Sequence, residues 1–183
     1  MNVRPFNIDD KTDFLDICIK TAGNVDPASD NGKFITALYC EYYTENEPQN
    51  CFALTDENDK AVGYIICSES YDSYKKNMKN KLKCMRSLGL NHYLFTLGEI
   101  IGHGLYKKNY SAHLHIDILP GFQHSGGGTM LMNALKNHLK SKGINSVHLM
   151  VNAENKNAIK FYKKNGFCIH HNFKKFYVMT CNF

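Results

Sequence analysis

The chain has 183 residues, 43% apolar and 21% charged, which excludes whole-chain disorder and suffices for one domain with its own core. Four prolines exclude a Pro-rich or collagen-like chain, and with no Trp the aromatic content rests on eleven Phe and eleven Tyr. Twenty-two basic against 17 acidic side chains give +5, a mild excess that suits an anionic ligand and does not by itself argue for nucleic acid.

Apolar runs such as 62–67 fall far short of the ~20 residues of a membrane span. Residues 1–16 carry Asp9, Asp10, Asp13 and Asp16 and no apolar stretch, so a signal peptide is not expected there. The cysteines stand at 18, 40, 51, 67, 84, 168 and 181, an odd number without C-x-x-C. They read as reduced thiols of a cytoplasmic protein, not as a disulfide framework or zinc knuckle.

In chain order, 3–8 suits a strand, with Asp9 or Asp10 capping a helix. Phe14, Ile17, Cys18 and Ala22 follow helical spacing until Gly23. Asp30 suits a second N-cap, before Phe34, Leu38 and Tyr42 at four-residue spacing. Cys51–Thr55 and Ala61–Ser68 flank the polar run 56–60, a hairpin signal. The segment of about 70–110 begins lysine-rich and ends apolar with Gly98, Gly102 and Gly104. It is too long for a plain loop and reads as a partly helical insertion within a single domain over 1–183.

The second half alternates more clearly. Leu114, Ile116 and Ile118 against His113, His115 and Asp117 predict a strand over 112–119. Leu131, Leu135 and Leu139 predict a helix over 126–142, ended by Gly143. Val147, Leu149 and Val151 form another strand, and Ala158, Ile159 and Tyr162 one face of a helix ended by Gly166. Segments 167–171 and 174–181 suit two closing strands. This order predicts an α/β (α+β) chain with helices packed on a mixed sheet.

The sharpest motif is Gln123-His124-Ser125-Gly126-Gly127-Gly128-Thr129, between a strand and a helix. Glycines there let backbone amides approach a ligand, and the helix N-terminus favours negative charge, so the loop suits phosphate or pyrophosphate. A P-loop would need Lys after the last glycine, and a dinucleotide loop a third spaced glycine where Leu131 stands.

The loop resembles the coenzyme loop of the GCN5-related N-acetyltransferase (GNAT) superfamily, Q/R-x-x-G-x-G/A, through Gln123, Gly126 and Gly128. Ile118-Leu119-Pro120 matches the end of that family's central strand, and Asn155, Ala158, Tyr162, Gly166 and Phe167 match its N-x-x-A-x-x-x-Y-x-x-x-G-F stretch. The resemblance is strong over 112–170 and does not cover 70–110. A narrower one joins 115–120 to the acetyltransferase-like domain attached to O-GlcNAc hydrolases.

The resemblance implies a mostly antiparallel sheet with splayed central strands and helices on both faces. It implies transfer of an acetyl group from acetyl-CoA to an amine by direct attack in a ternary complex. The Ile118 amide would meet the thioester oxygen, beside Leu119, and amides from Gln123 through His124, Ser125, Gly126, Gly127 and Gly128 to Thr129 would hold the pyrophosphate. Asn155 would bond the pantetheine arm, or cap its helix, or both. Tyr162 would contact the coenzyme and protonate the leaving thiolate, against a purely packing role. Lys160, Lys163 and Lys164 suit a solvated face.

The base is open among Asp117, first because it adjoins Ile118, then His115 and Glu99. A metal on His113, His115 and Asp117 is not expected, because three ligands along one strand span too far to close on one ion. The expected partner is a small-molecule or peptide amine, with neither nucleic acid nor membrane. The alternative is a non-catalytic acetyl-CoA-binding regulatory module. Neither acceptor nor oligomeric state is readable from the residues.

Overall fold

Strands β1 (Asn2–Pro5), β2 (Cys51–Thr55), β3 (Ala61–Ser68), β4 (Ala112–Ile118), β5 (Ser146–Asn152), β6 (Cys168–Asn172) and β7 (Phe176–Asn182) pair into one sheet of order β1-β2-β3-β4-β5-β7-β6. The structure is a computed structural model and describes residues 1–23 and 25–183. Every neighbouring pair is antiparallel except β4 and β5. Those two run parallel and pair only at Ala112 with Val147 and His113 with His148. Beyond that point they part, while β4 stays on β3 to Ile118 and β5 on β7 to Asn152.

Helices cover both faces. On one side α1 (Lys11–Thr21), α2 (Asp30–Thr36), α3 (Tyr42–Asn46), α4 (Tyr71–Leu88) and α5 (Leu90–Gly104) build a core around Phe14, Leu38, Tyr64 and Met78. On the other, α6 (Gly127–Ser141) and α7 (Lys156–Lys164) close over Leu54, Ile65, Leu114 and Leu149. The four-residue leucine spacing of α6 does what it predicts: Leu131, Leu135 and Leu139 are fully buried. Strands β2 and β3 are buried at every position because both of their faces are roofed.

Asp10 stands at the N-cap of α1, though without a side-chain bond into that helix, and the cap of α2 differs from the sequence expectation. Asn7 opens a short 3₁₀ turn ahead of α1, with Asp10 returning a bond to the Asn7 amide at 2.8 Å. Asp10 also takes a bidentate bond from Arg4, at 2.7 and 2.9 Å, which ties β1 to the start of α1. Ser29, not Asp30, caps α2, accepting from the Gly32 amide at 3.0 Å. A π turn over Ala37–Glu41 then carries the chain into α3, so Phe34, Leu38 and Tyr42 all remain buried.

Residues 70–110 fold mainly as the α4–α5 pair, hinged at Gly89, whose φ of 145° favours glycine. Tyr74, Met78 and Met85 seat α4 on the core, and α5 packs on α4. All seven cysteines are free thiols, five of them buried. No helix among the described residues is long and apolar enough to cross a membrane.

Candidate active site

The parting of β4 and β5 makes the site. Along β4, His113, His115 and Asp117 face the α1–α5 side, beside Tyr43, Tyr39 and Tyr64, while Leu114, Ile116 and Ile118 face α6 and α7. The Leu119 amide donates to Val62 O of β3 at 3.0 Å. Successive strand amides point to opposite edges, so the Ile118 amide faces the gap left by β5. Gln123 Nε2 bonds Ile118 O at 2.8 Å and holds the loop against that strand end.

A cleft of 560 Å³ opens there. Of the residues expected at a coenzyme site, Asp117, Ile118, Gln123, His124, Gly126, Gly128, Thr129, Asn155 and Tyr162 line it. Leu119, Ser125 and Gly127 lie off its wall. The Ser125 hydroxyl donates to Phe122 O at 2.7 Å, shaping the loop instead. Lys160 and Lys164 line the cleft, so two of the three α7 lysines expected on a solvated face bring positive charge to it. Thr21, Asn157 and Phe161 complete the wall. Phe161 carried a packing expectation and does pack on the loop. Thr21 comes from the end of α1, and no local motif pointed to it.

The three glycines act differently. Gly126 has φ 89°, a left-handed turn that aims the following amides along α6, and a Cβ there would meet nothing within 4 Å. A Cβ on Gly128 would stand 2.9 Å from the Phe161 ring, so glycine permits α7 to approach the loop. A Cβ on Gly127 would stand 2.5 Å from Leu54 Cδ2, so this glycine seats α6 on β2. Gly127→Val should therefore lower stability by roughly 1–3 kcal/mol through overpacking. Urea melts would show it, and an unchanged midpoint would mean that Leu54 yields freely. Among the described residues, no backbone carbonyl accepts from the amides of 124–128, whereas Thr129 and Met130 donate back to Gly126 O at 3.0 and 3.1 Å. Five unpartnered amides at a helix N-terminus form an anion cradle.

Burial raises the Asp117 carboxyl above the ordinary range, and bonds from Tyr64 and Thr21 partly offset that. The Tyr64 hydroxyl donates to Asp117 Oδ2 at 2.7 Å. Tyr162 is 8% exposed, and its phenol is pushed up by burial first and by the Asp117 charge second, so it keeps its proton at neutral pH. His115 lies deep between Tyr39 and Tyr43, with burial and then His148 pushing it down to about 4. Glu99 is pushed up to about 7 by burial and lines a different, largely apolar cleft of 400 Å³. That second cleft lies between α5 and the outer sheet, bordered by Phe95, Ile101, Leu105, Met150 and Phe176. Asp117 is thus the expected base that shares the first cleft with Tyr162 and Ile118.

Residues 86–167 match the Acetyltransferase (GNAT) family model. An uncharacterized N-acetyltransferase of Methanocaldococcus jannaschii is 26% identical over 166 residues, covering 90% of this chain and 59% of its own. The chain therefore spans only about three-fifths of that relative's length. Among solved structures, SsHAT aligns with TM-score 0.84 at 24% identity, over 99% of this chain and 97% of its own. The PaiA N-acetyltransferase of Thermoplasma acidophilum, in complex with coenzyme A, aligns with TM-score 0.62 at 16% identity, over 100% and 98%. The parted β4 and β5 and the glycine loop that opens α6 thus lie in a chain that shares its fold with these solved structures and matches the Acetyltransferase (GNAT) family model across 86–167.

Proposed function

We propose that the protein is an acetyl-CoA-dependent N-acetyltransferase that moves the acetyl group directly to an amine. The observation that carries this reading is the row of unpartnered amides from 124 to 128 beside the inward Ile118 amide, with Tyr162 on the opposite wall. The coenzyme supplies a thioester, an activated acyl group with a thiolate leaving group. Lys160 and Lys164 add charge where an anionic pyrophosphate would rest.

In this reading the Ile118 N–H stabilises the oxyanion that develops as the amine attacks, a donor held in place by β4. Asp117 Oδ takes the proton that the amine loses. The Tyr162 O–H gives its proton to the departing sulfur. Asp117 and Ile118 point to opposite faces of β4, so coenzyme and amine meet in the gap from opposite sides. Release of free thiol over a panel of small amines and peptides tests the reading. Coenzyme binding without turnover on any acceptor would favour the non-catalytic module instead. A base at Asp117 gives an acid limb in kcat/KM set above the ordinary carboxylate range, because its pKa is raised. Activity rises with pH through that limb as the carboxylate forms, and Asp117→Asn should remove the limb and most of the rate. A limb that persists in a folded Asp117→Asn protein would move the base elsewhere.

We place the flank of the acceptor in the second cleft, with α5 of the 70–110 segment as one wall and the amine reaching the gap beside Asp117. Support comes from its position over β5 beyond the fork, through Met150, and from its apolar lining. An acceptor with an apolar flank fits that lining. A Cβ on Gly98 meets nothing within 4 Å, so Gly98→Phe should fold and fill the space. The expected result is a several-fold higher KM for the acceptor at unchanged coenzyme affinity. An unchanged acceptor KM would put that flank elsewhere.

A further inference from the structure

At the fork of β4 and β5 three fully buried imidazoles meet: His113 of β4, His148 of β5 and His103 of α5. His113 and His148 are the last register pair before the strands part. One ring nitrogen from each histidine lies within 4.8 Å of the other two. His103 Nδ1 stands 2.8 Å from His148 Nε2.

The outer nitrogens carry the argument. His148 Nδ1 stands 2.8 Å from the Tyr110 carbonyl, which can only accept, so it is protonated and Nε2 holds the lone pair. His113 Nε2 stands 3.1 Å from the Tyr43 hydroxyl, and His113 Nδ1 is fully buried with no partner among the described residues. His103 Nε2 is likewise buried without a bond and faces Glu99 Oε2 at 3.8 Å. Each ring thus has an oxygen on its outer side and a nitrogen turned inward. This is the outer-shell pattern that fixes the tautomer of metal-bound histidine. A proton on His103 Nδ1 can satisfy the 2.8 Å contact with His148 Nε2, but it leaves His113 Nδ1 orphaned in the core at a cost of about 1–3 kcal/mol, which an ion between the three rings would relieve.

We propose that His103 Nδ1, His113 Nδ1 and His148 Nε2 bind one divalent transition-metal ion of the zinc class, pinning α5 to the fork of the sheet. Imidazole nitrogen suits zinc, and the Glu99 carboxyl stands beside the His103 ring as an outer partner. Two nitrogens on one tetrahedral zinc lie about 3.4 Å apart, so the trio closes by ring rotations on the order of 1 Å. His103 and His113 now stack at 3.9 Å between centroids, and that stack opens as the rings turn. The second cleft, walled by Glu99, Gly102 and Tyr106, offers the entry path. The expectation of no metal considered only ligands along one strand. Here His113 is joined by histidines from two other elements, and His115 and Asp117 take no part.

The test uses the full chain, stripped with a chelator and shown to remain folded, then titrated with Co²⁺ and Zn²⁺. The site requires one Co²⁺ per chain, with visible bands of tetrahedral cobalt and no thiolate-to-cobalt charge-transfer band. Zn²⁺ should displace the cobalt and raise Tm, because it binds the native state. His103→Gln and His148→Gln should each weaken Co²⁺ by well over tenfold, and Tyr43→Phe by about tenfold through the outer shell. A folded wild type that binds neither metal overturns the proposal, whether or not the histidine variants fold. So does a thiolate band, which would assign the ion to cysteine, or an affinity unchanged in folded His103→Gln.

Discussion

Tyr162→Phe should turn over its acceptor roughly 10²–10⁴-fold more slowly while binding the coenzyme almost as tightly as the wild type, if loss of the thiolate limits the rate. The phenol lines the first cleft, and its proton is secured by burial and by the Asp117 charge. The ring packs among Phe161 and Phe167, and the Phe variant keeps those contacts. A packing role therefore predicts no kinetic loss, and a proton-donating role predicts a large one. Single-turnover rates are the measurement to make, since slow product release would mask the chemical step in kcat. Wild-type single-turnover rates in a folded Tyr162→Phe protein would leave the ring a structural part and the thiolate unprotonated on departure.

Gly126→Glu should abolish coenzyme binding. Two effects act together: the side chain stands in the middle of the amide row, and its carboxylate opposes a phosphate where the helix N-terminus favours an anion. A Cβ at this position meets no neighbour, so the fold is strained only by the left-handed φ, at about 1–2 kcal/mol. Thermal shift with acetyl-CoA separates the outcomes, since a ligand that binds only the native state raises Tm in the wild type and not in the variant. A folded Gly126→Glu protein with the wild-type shift would remove the 124–128 loop from the coenzyme site.

Much of the architecture was legible because it is local. The hairpin Cys51–Thr55 with Ala61–Ser68 follows from two apolar runs and a polar turn, and α6 follows from three leucines one turn apart. Gly126, Gly143 and Gly166 mark element ends, and each has positive φ. The caps were less legible, because Ser29 and Asp30 are chemically alike and a shift of one residue decides which hydroxyl or carboxylate reaches the free amide. The 70–110 segment was the hardest. Tyr71, Tyr74, Met78, Leu82 and Met85 do form one face of α4, but lysines fill the residues between them, and α5 leaves Leu90, Leu94, Phe95 and Ile101 exposed. The apolar side chains of α5 spread over more than one face and blur its period.

By itself the sequence determined the element order, the glycine loop at a helix start and the strand that alternates His113, His115 and Asp117 against Leu114, Ile116 and Ile118. These depend on neighbours within a few residues, where spacing and backbone preference act directly. Only the tertiary structure decided which polar groups share a space. It put Asp117 under the Tyr64 hydroxyl and in the cleft with Tyr162, sent Glu99 to a separate cleft, and brought Thr21 to the wall of the first. It also gathered His103 and His148 around His113, from positions far apart in the chain. The reason is the limited pairing of β4 with β5: where two strands stop sharing hydrogen bonds is set by everything packed on them, and no residue at the fork announces it.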